Sequence, residues 1–248
     1  MLRSGIYIYN LREMEIKSLR GKRNMITNLE KIIMIVAAVL MAVLGTIYVM
    51  GREESKKQGK KKVLMFKAAA TLVADVLAIM GALQIQTFAA WSIAIGIFLY
   101  ACADILLELK FIWGMLCFGI GHLWVIAGIG AKGVSVIPAM FEFLVLCVVA
   151  LMLFKPYLKK LKQLKVPGLI YTAILCLMSA TTLGVAWESS VVWDWVRVFG
   201  SLCFVTSDAI IGWNFVNHSR TKRSGAILMI LYYLAVYLIA VSSVFSLR

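Results

Sequence analysis

Proline is almost absent from this chain, with 3 in 248 residues. Acid is scarce as well: 12 Asp and Glu stand against 26 Lys and Arg, and there are 2 histidines. No polar low-complexity block and no long linker interrupts the sequence, so a disordered region or an inserted water-soluble domain is not expected. The 5 cysteines, Cys102, Cys117, Cys147, Cys176 and Cys203, lie in apolar runs and form no CxxC. They read as small packing residues rather than disulfides or metal ligands. HExxH, GxSxG, a phosphate-binding glycine loop and a metal-spaced Cys/His set are all missing. Their absence argues against a zinc protease, a serine lipase and an ATPase. His122 with two aspartates has no spacing that supports a metal, so neither metal nor cofactor is expected.

What is there is apolar. Hydrophobic residues make up 62% of the chain, against about 45–50% in a soluble domain, and the mean hydropathy is +0.90. Runs of near-spanning length recur from Ile32 onward. The expected fold class is therefore all-α: a polytopic membrane protein, a bundle of about eight transmembrane helices. The spans are read at roughly 31–50, 64–84, 89–108, 112–130, 134–154, 168–187, 192–213 and 225–246. Very short joins near 109–111 and 131–133 make their neighbours antiparallel hairpins.

The net charge of +14 suggests nucleic acid at first sight. The cations sit mostly in loops between apolar runs, so they read as topology signals and headgroup contacts, and no nucleic-acid partner is expected. The first loop carries Arg52, Lys56, Lys57, Lys60, Lys61 and Lys62. The fifth carries Lys155, Lys159, Lys160, Lys162 and Lys165, the seventh Arg220, Lys222 and Arg223, and the sixth, "ESSVVWD", is acidic. Odd loops are then cytoplasmic and both termini outside. The basic tail disagrees, with Arg3, Arg12, Lys17, Arg20, Lys22 and Arg23. Either the biological start is Met25 or the span count is off by one; the first is favoured. Residues 1–30 are thus set apart as a basic tail from an eight-helix domain over 31–248. A multi-pass bacterial inner-membrane protein is the expected setting.

Ionisable residues at membrane depth are costly and mark function or buried pairing. Here they are Lys67, Asp75, Asp104, Glu108, His122, Glu142, Arg197 and Asp208. Asp104 and Asp208 each lie about five residues, or ~7 Å, from the cytoplasmic end of a span. Lys67 and His122 share that leaflet, while Glu142 and Arg197 lie toward the other. Glu108 reads as a polar helix end. Asp75 bonds a neighbouring helix or a lysine, and Arg197 pairs with Asp194 or Glu188. Two carboxyls in an apolar cavity suit acid/base work, one donating a proton and the other activating water. Asp104 is expected to work with Asp208.

Three stretches together carry a family resemblance: "FKAAATL", "ACADILLELKFIWGMLCFGIGHLWVIAGI", and "FGSLCFVTSDAIIGWNFV" followed by "YYLAVYLIAVS". They resemble the YhhN family from about residue 30 to the C-terminus. Lys67, Asp104, His122, Ser207, Asp208, Asn214, Tyr232, Tyr233 and Ala235 match its motifs. Ala68, Ala103, Gly121, Trp124 and Val236 stand where the family usually has proline, glycine, alanine, tyrosine and glutamine. The resemblance implies an eight-helix membrane hydrolase that cleaves the vinyl ether bond of lysoplasmalogens, giving a fatty aldehyde and a glycerophospho-ethanolamine or -choline. It makes Asp104 and Asp208 catalytic and gives His122 an orienting role. Lys67 and Tyr233 would hold the phosphate, with Tyr232 and Asn214 beside the substrate. The partners would be a lipid substrate and the bilayer. The alternatives are a proton-coupled transporter and a membrane protein that binds lipid without catalysis. The lack of an internal repeat and of helix-breaking prolines counts against transport.

Overall fold

The computed structural model describes residues 28–52, 62–158, 161, 164–217, 219 and 221–247. The basic tail with its Met25 start lies outside these residues, as do Lys56, Lys57, Lys60, Lys61, Lys159, Lys160, Lys162 and Arg220. The described residues form eight helices long and apolar enough to cross a membrane. They are α1 Asn28–Arg52, α2 Lys62–Ile85, α3 Phe88–Leu109, α4 Phe111–Gly130, α5 Val136–Phe154, α6 Lys165–Trp187, α7 Val192–Asn217 and α8 Lys222–Ser246. The protein is an all-helical, multi-pass integral membrane protein. The chain divides into residues 1–39 and 40–248. In the first unit, 28–39 is the apolar start of α1. All that follows concerns the second.

The prolines explain why the spans run unbroken. Pro138 and Pro167 occupy the first turns of α5 and α6, and Pro156 sits in a 3-10 turn, Lys155–Tyr157, after α5. A first-turn proline removes an N–H that has no helical partner. Helix α6 therefore starts at Lys165, ahead of Pro167, rather than at 168 as the sequence suggests. Local capping sets other starts. Thr87 Oγ1 accepts from Ala90 N at 3.3 Å before α3. Thr221 and Ser224 exchange side-chain and backbone bonds before α8.

In sequence order, α2 packs on α3, α3 on α4, α4 on α6, α6 on α7, α7 on α8, and α8 back on α2. That is a closed ring of six helices, with α5 packed on the outside of α6. The hairpin of α3 and α4 is tightest. Lys110 alone joins them, and a Cβ on Gly114 would lie 2.3 Å from Leu107 Cα. Higher up, a Cβ on Gly96 would lie 2.8 Å from Gly121 O. Only glycine permits that approach, and it brings Tyr100 of α3 against His122 of α4.

Polarity is inverted relative to a soluble protein. Lys67, Thr71, Asp75, Asp104, His122, Asp194 and Arg197 are buried, while Leu, Ile, Val and Phe side chains cover the outer helix faces. Lipid can solvate the outside, so the polar groups gather where other helices can pair them.

Candidate functional site

The buried polar residues in the half of the bundle that holds the α3–α4 turn form two clusters. The first centres on Asp104, which is fully buried. Lys67 Nζ lies 3.0 Å from its Oδ1. Thr71 Oγ1 donates to its Oδ2 at 2.5 Å, and Tyr232 OH donates to the same oxygen at 2.8 Å. Lys67 and Thr71 are one helical turn apart on α2, so both face α3 at the depth of Asp104. Tyr233 OH donates to Lys67 O at 3.4 Å. Tyr48 and Tyr232 place their rings 6.0 and 5.9 Å from the Lys67 ammonium, within cation–π range. The ammonium, a carboxylate and two aromatic faces thus compensate one another where water is excluded.

The second cluster centres on Asp208. Tyr171 of α6 donates to its Oδ2 in a very short hydrogen bond. Ser207 Oγ approaches Oδ1 at 3.3 Å. Tyr171 OH is also 3.4 Å from His122 Nε2, and Tyr100 OH is 2.7 Å from His122 Nδ1. One donor order satisfies the set. Tyr100 donates to Nδ1, the Nε2–H donates to Tyr171, and Tyr171 donates to the carboxylate. A chain across α3, α4, α6 and α7 therefore ends on Asp208.

Asp104 and Asp208 share no hydrogen bond. The sequence has the two aspartates working together at one depth; the structure gives Asp104 the Lys67 ammonium as its partner and gives Asp208 two hydroxyls. Aromatic rings stand between the clusters. Phe204 packs on Tyr100, His122 and Tyr232 at centroid distances of 5.1, 4.7 and 5.5 Å, and Phe118 packs on Tyr232 at 5.9 Å.

A cavity of about 360 Å³ opens between α4, α5, α6 and α7 in this leaflet. Its walls are chiefly Leu, Val, Phe and Met, with Asp208, Tyr171 and Thr172 among its polar groups. Phe118 is part of its wall, and Asp104 is not. Lys67, Tyr232, Tyr233 and Asn214 do not line it either. The first three gather around Asp104, while Asn214 is buried on α7 with its Nδ2 unpaired. Among the described residues no group of three His, Cys, Asp or Glu stands ready for a metal.

The remaining ionisable residues are placed as follows. Glu108 is more than a polar helix end: Arg52 grips both its oxygens at 3.0 and 3.3 Å, and Tyr48 OH donates at 2.8 Å. Asp75 is buried with Oδ1 unbonded, and among the described residues it has no lysine partner. Arg197 pairs with Asp194 at 3.0 Å, and Lys132 joins Asp194 at 2.8 Å. Glu142 accepts from Ser179 at 2.7 Å. Sequence reasoning missed Thr71, Tyr100 and Tyr171. The signal for them was a hydroxyl in the same leaflet half as the two aspartates.

Lys67, Asp104, His122, Asp208 and Tyr232 thus come from five different helices, α2, α3, α4, α7 and α8. The model described as the YhhN family matches residues 62–243, beginning at α2 rather than near residue 30. No curated protein and no solved structure matches. With nearly three quarters of its length matched, including every residue of both clusters except Tyr48, the chain belongs to the YhhN family.

Proposed function

We propose that this protein hydrolyses the vinyl ether bond of an alkenyl lysophospholipid within the membrane, releasing a fatty aldehyde and a glycerophospho-alcohol. One observation carries the reading. A carboxyl, Asp208, faces an apolar cavity between transmembrane helices and is held there by a tyrosine. An apolar chain fits such walls, and the carboxyl meets the one polar, reactive linkage of that chain.

The chemistry needs a proton on carbon and then water. Protonated Asp208 gives its proton to the outer carbon of the C=C–O unit. The π electrons form the new C–H bond, and the oxygen lone pair makes an oxocarbenium ion. Water attacks the cationic carbon and returns a proton to Asp208. The hemiacetal then breaks its bond to the glycerol oxygen, which takes the hydroxyl proton and leaves as alcohol. The sum is one water consumed and one C–O bond cleaved. Tyr171 fixes the Asp208 Oδ2, leaving Oδ1 to exchange the proton. The two-carboxylate logic resembles glycoside hydrolysis. Asp104 takes the electrostatic part, held against Lys67 and Tyr232 behind the rings of Phe118 and Phe204.

Aldehyde release from alkenyl lysophosphatidylethanolamine by the purified protein tests this. Asp208→Asn is expected to lower kcat by about 10²–10⁴-fold, the usual share of a general acid. Wild-type protein that releases no aldehyde from any alkenyl lysolipid overturns the reading and favours transport or lipid binding without chemistry.

A further inference from the structure

The cavity has a cationic rim. Lys155 opens the turn after α5, and Lys165 is the first residue of α6. Both line the cavity, and both are exposed. Between them Leu158, Leu161 and Leu164, three residues apart, turn onto the same wall. The α5–α6 connection therefore lays leucines over the cavity and brackets them with ammonium groups. The carboxyl lies at the opposite, inner end. Tyr171 is six residues beyond Lys165, which places it ~9 Å further in along α6 at the helical rise. That is close to the extended span of an alkenyl lysophospholipid from its phosphorus, through the glycerol, to the outer carbon of the vinyl ether. Cation, apolar wall and acid come in the order in which a lysophospholipid carries phosphate, backbone and linkage.

We infer that Lys155 and Lys165 form the phosphate pole of the substrate site, so that a lysophospholipid is taken from the cytoplasmic leaflet with its headgroup on the α5–α6 connection. This rests on the hydrolase reading for the linkage that is cleaved, but the phosphate site stands apart from it. Lys67, the lysine that the family resemblance offers for the phosphate, is 5% exposed, paired with Asp104 and away from this wall. Lys155 and Lys165 have no carboxylate partner among the described residues and are free to take an anion. A phosphodiester spreads one negative charge over two free oxygens, and each ammonium is a compact donor of three N–H bonds, so each lysine can take one oxygen.

The test uses ligands that cannot be hydrolysed. Binding of 1-O-alkyl lysophosphatidylethanolamine is compared with that of 1-O-alkylglycerol of equal chain length, on the full protein in detergent. Wild type is expected to prefer the phosphate-bearing lipid. Lys155→Gln with Lys165→Gln is expected to cost about tenfold in that affinity alone and leave alkylglycerol binding as it was. Lys222→Gln with Arg223→Gln, on the same membrane face but off the cavity, controls for general surface charge. Wild type showing no preference for phosphate, or equal losses in the two double variants, overturns the inference. With alkenyl substrate the Lys155/Lys165 variant is expected to raise KM with kcat kept. Phosphate-selective binding without aldehyde release sinks the hydrolase and leaves the site. Aldehyde release insensitive to both lysines does the reverse. Since both side chains are exposed, a thermal midpoint equal to wild type is expected, and Lys165→Gln alone repeats the test with one change.

Discussion

His122 has no hydrogen bond to Asp208 and does not itself line the cavity, yet it is fully buried and bonded at both ring nitrogens. Its reach to the carboxyl runs through the Tyr171 hydroxyl. It is therefore a positioning residue, and its loss should act only through that phenol. Tyr171→Phe is expected to lower kcat by roughly 10²-fold, since a misaimed group costs about that much. His122→Ala should cost less, and the double variant little more than Tyr171→Phe alone. Two losses that multiply would show that His122 acts by another route. The aspartates and the histidine were legible because an ionisable group in an apolar run has no cheap place to go. The phenols were not. A tyrosine is amphipathic and frequent in spans, so sharing a leaflet half with the aspartates is only a weak mark that Tyr100 or Tyr171 bonds inward. The partner of Asp104 was hidden for another reason. The sequence puts Lys67 in the same leaflet as Asp104 but cannot show that its ammonium turns to that acid, 37 positions away, rather than to a phosphate.

The α3–α4 hairpin sets the aim of that chain of donors. Gly121 precedes His122, and a Cβ there would lie 2.8 Å from two ring carbons of Tyr100 and 2.9 Å from Gly96 O. Gly121→Ala, the residue usual in the family motif, would therefore press on the phenol that holds Nδ1. Overpacking of this kind costs about 1–3 kcal/mol. A lower thermal midpoint is expected together with reduced aldehyde release; an unchanged midpoint and full activity would mean the helices part without consequence. The helices themselves were plain in the sequence, because an unbroken apolar run of spanning length has few other solutions. Boundaries shifted where local chemistry decides. Pro167 looks like a stop and is a first-turn residue. Helix α7 runs on to Asn217, past the expected 213, with Asn214 and Val216 still buried against neighbours. The ring order of the helices was not legible, since hydropathy gives each span but not its neighbours.

Across the whole second unit, charge is concentrated at two levels with different tasks. In the half with the α3–α4 turn lie Arg52–Glu108, Lys67–Asp104 and the Asp208 set. At the other end, Lys132 after α4, Asp194 and Arg197 at the start of α7, and Ser242 and Ser246 at the end of α8 form one network. Of the two partners the sequence offers Arg197, the structure gives it Asp194, and at 1% exposed the arginine sits inside the bundle. This network closes the ring of helices at the end opposite the cavity, where α7 and α8 meet the α4–α5 turn. Asp194→Ala leaves a buried guanidinium and an ammonium without their carboxylate, which costs about 3–5 kcal/mol. The expected result is a large fall in the unfolding midpoint in detergent, with aldehyde release per folded molecule unchanged. Arg197→Met added to Asp194→Ala should recover part of the loss, because an apolar pair needs no compensation. Lost activity in protein that is still fully folded would instead mean that the two ends are coupled, and that helix closure at the far end governs the cavity.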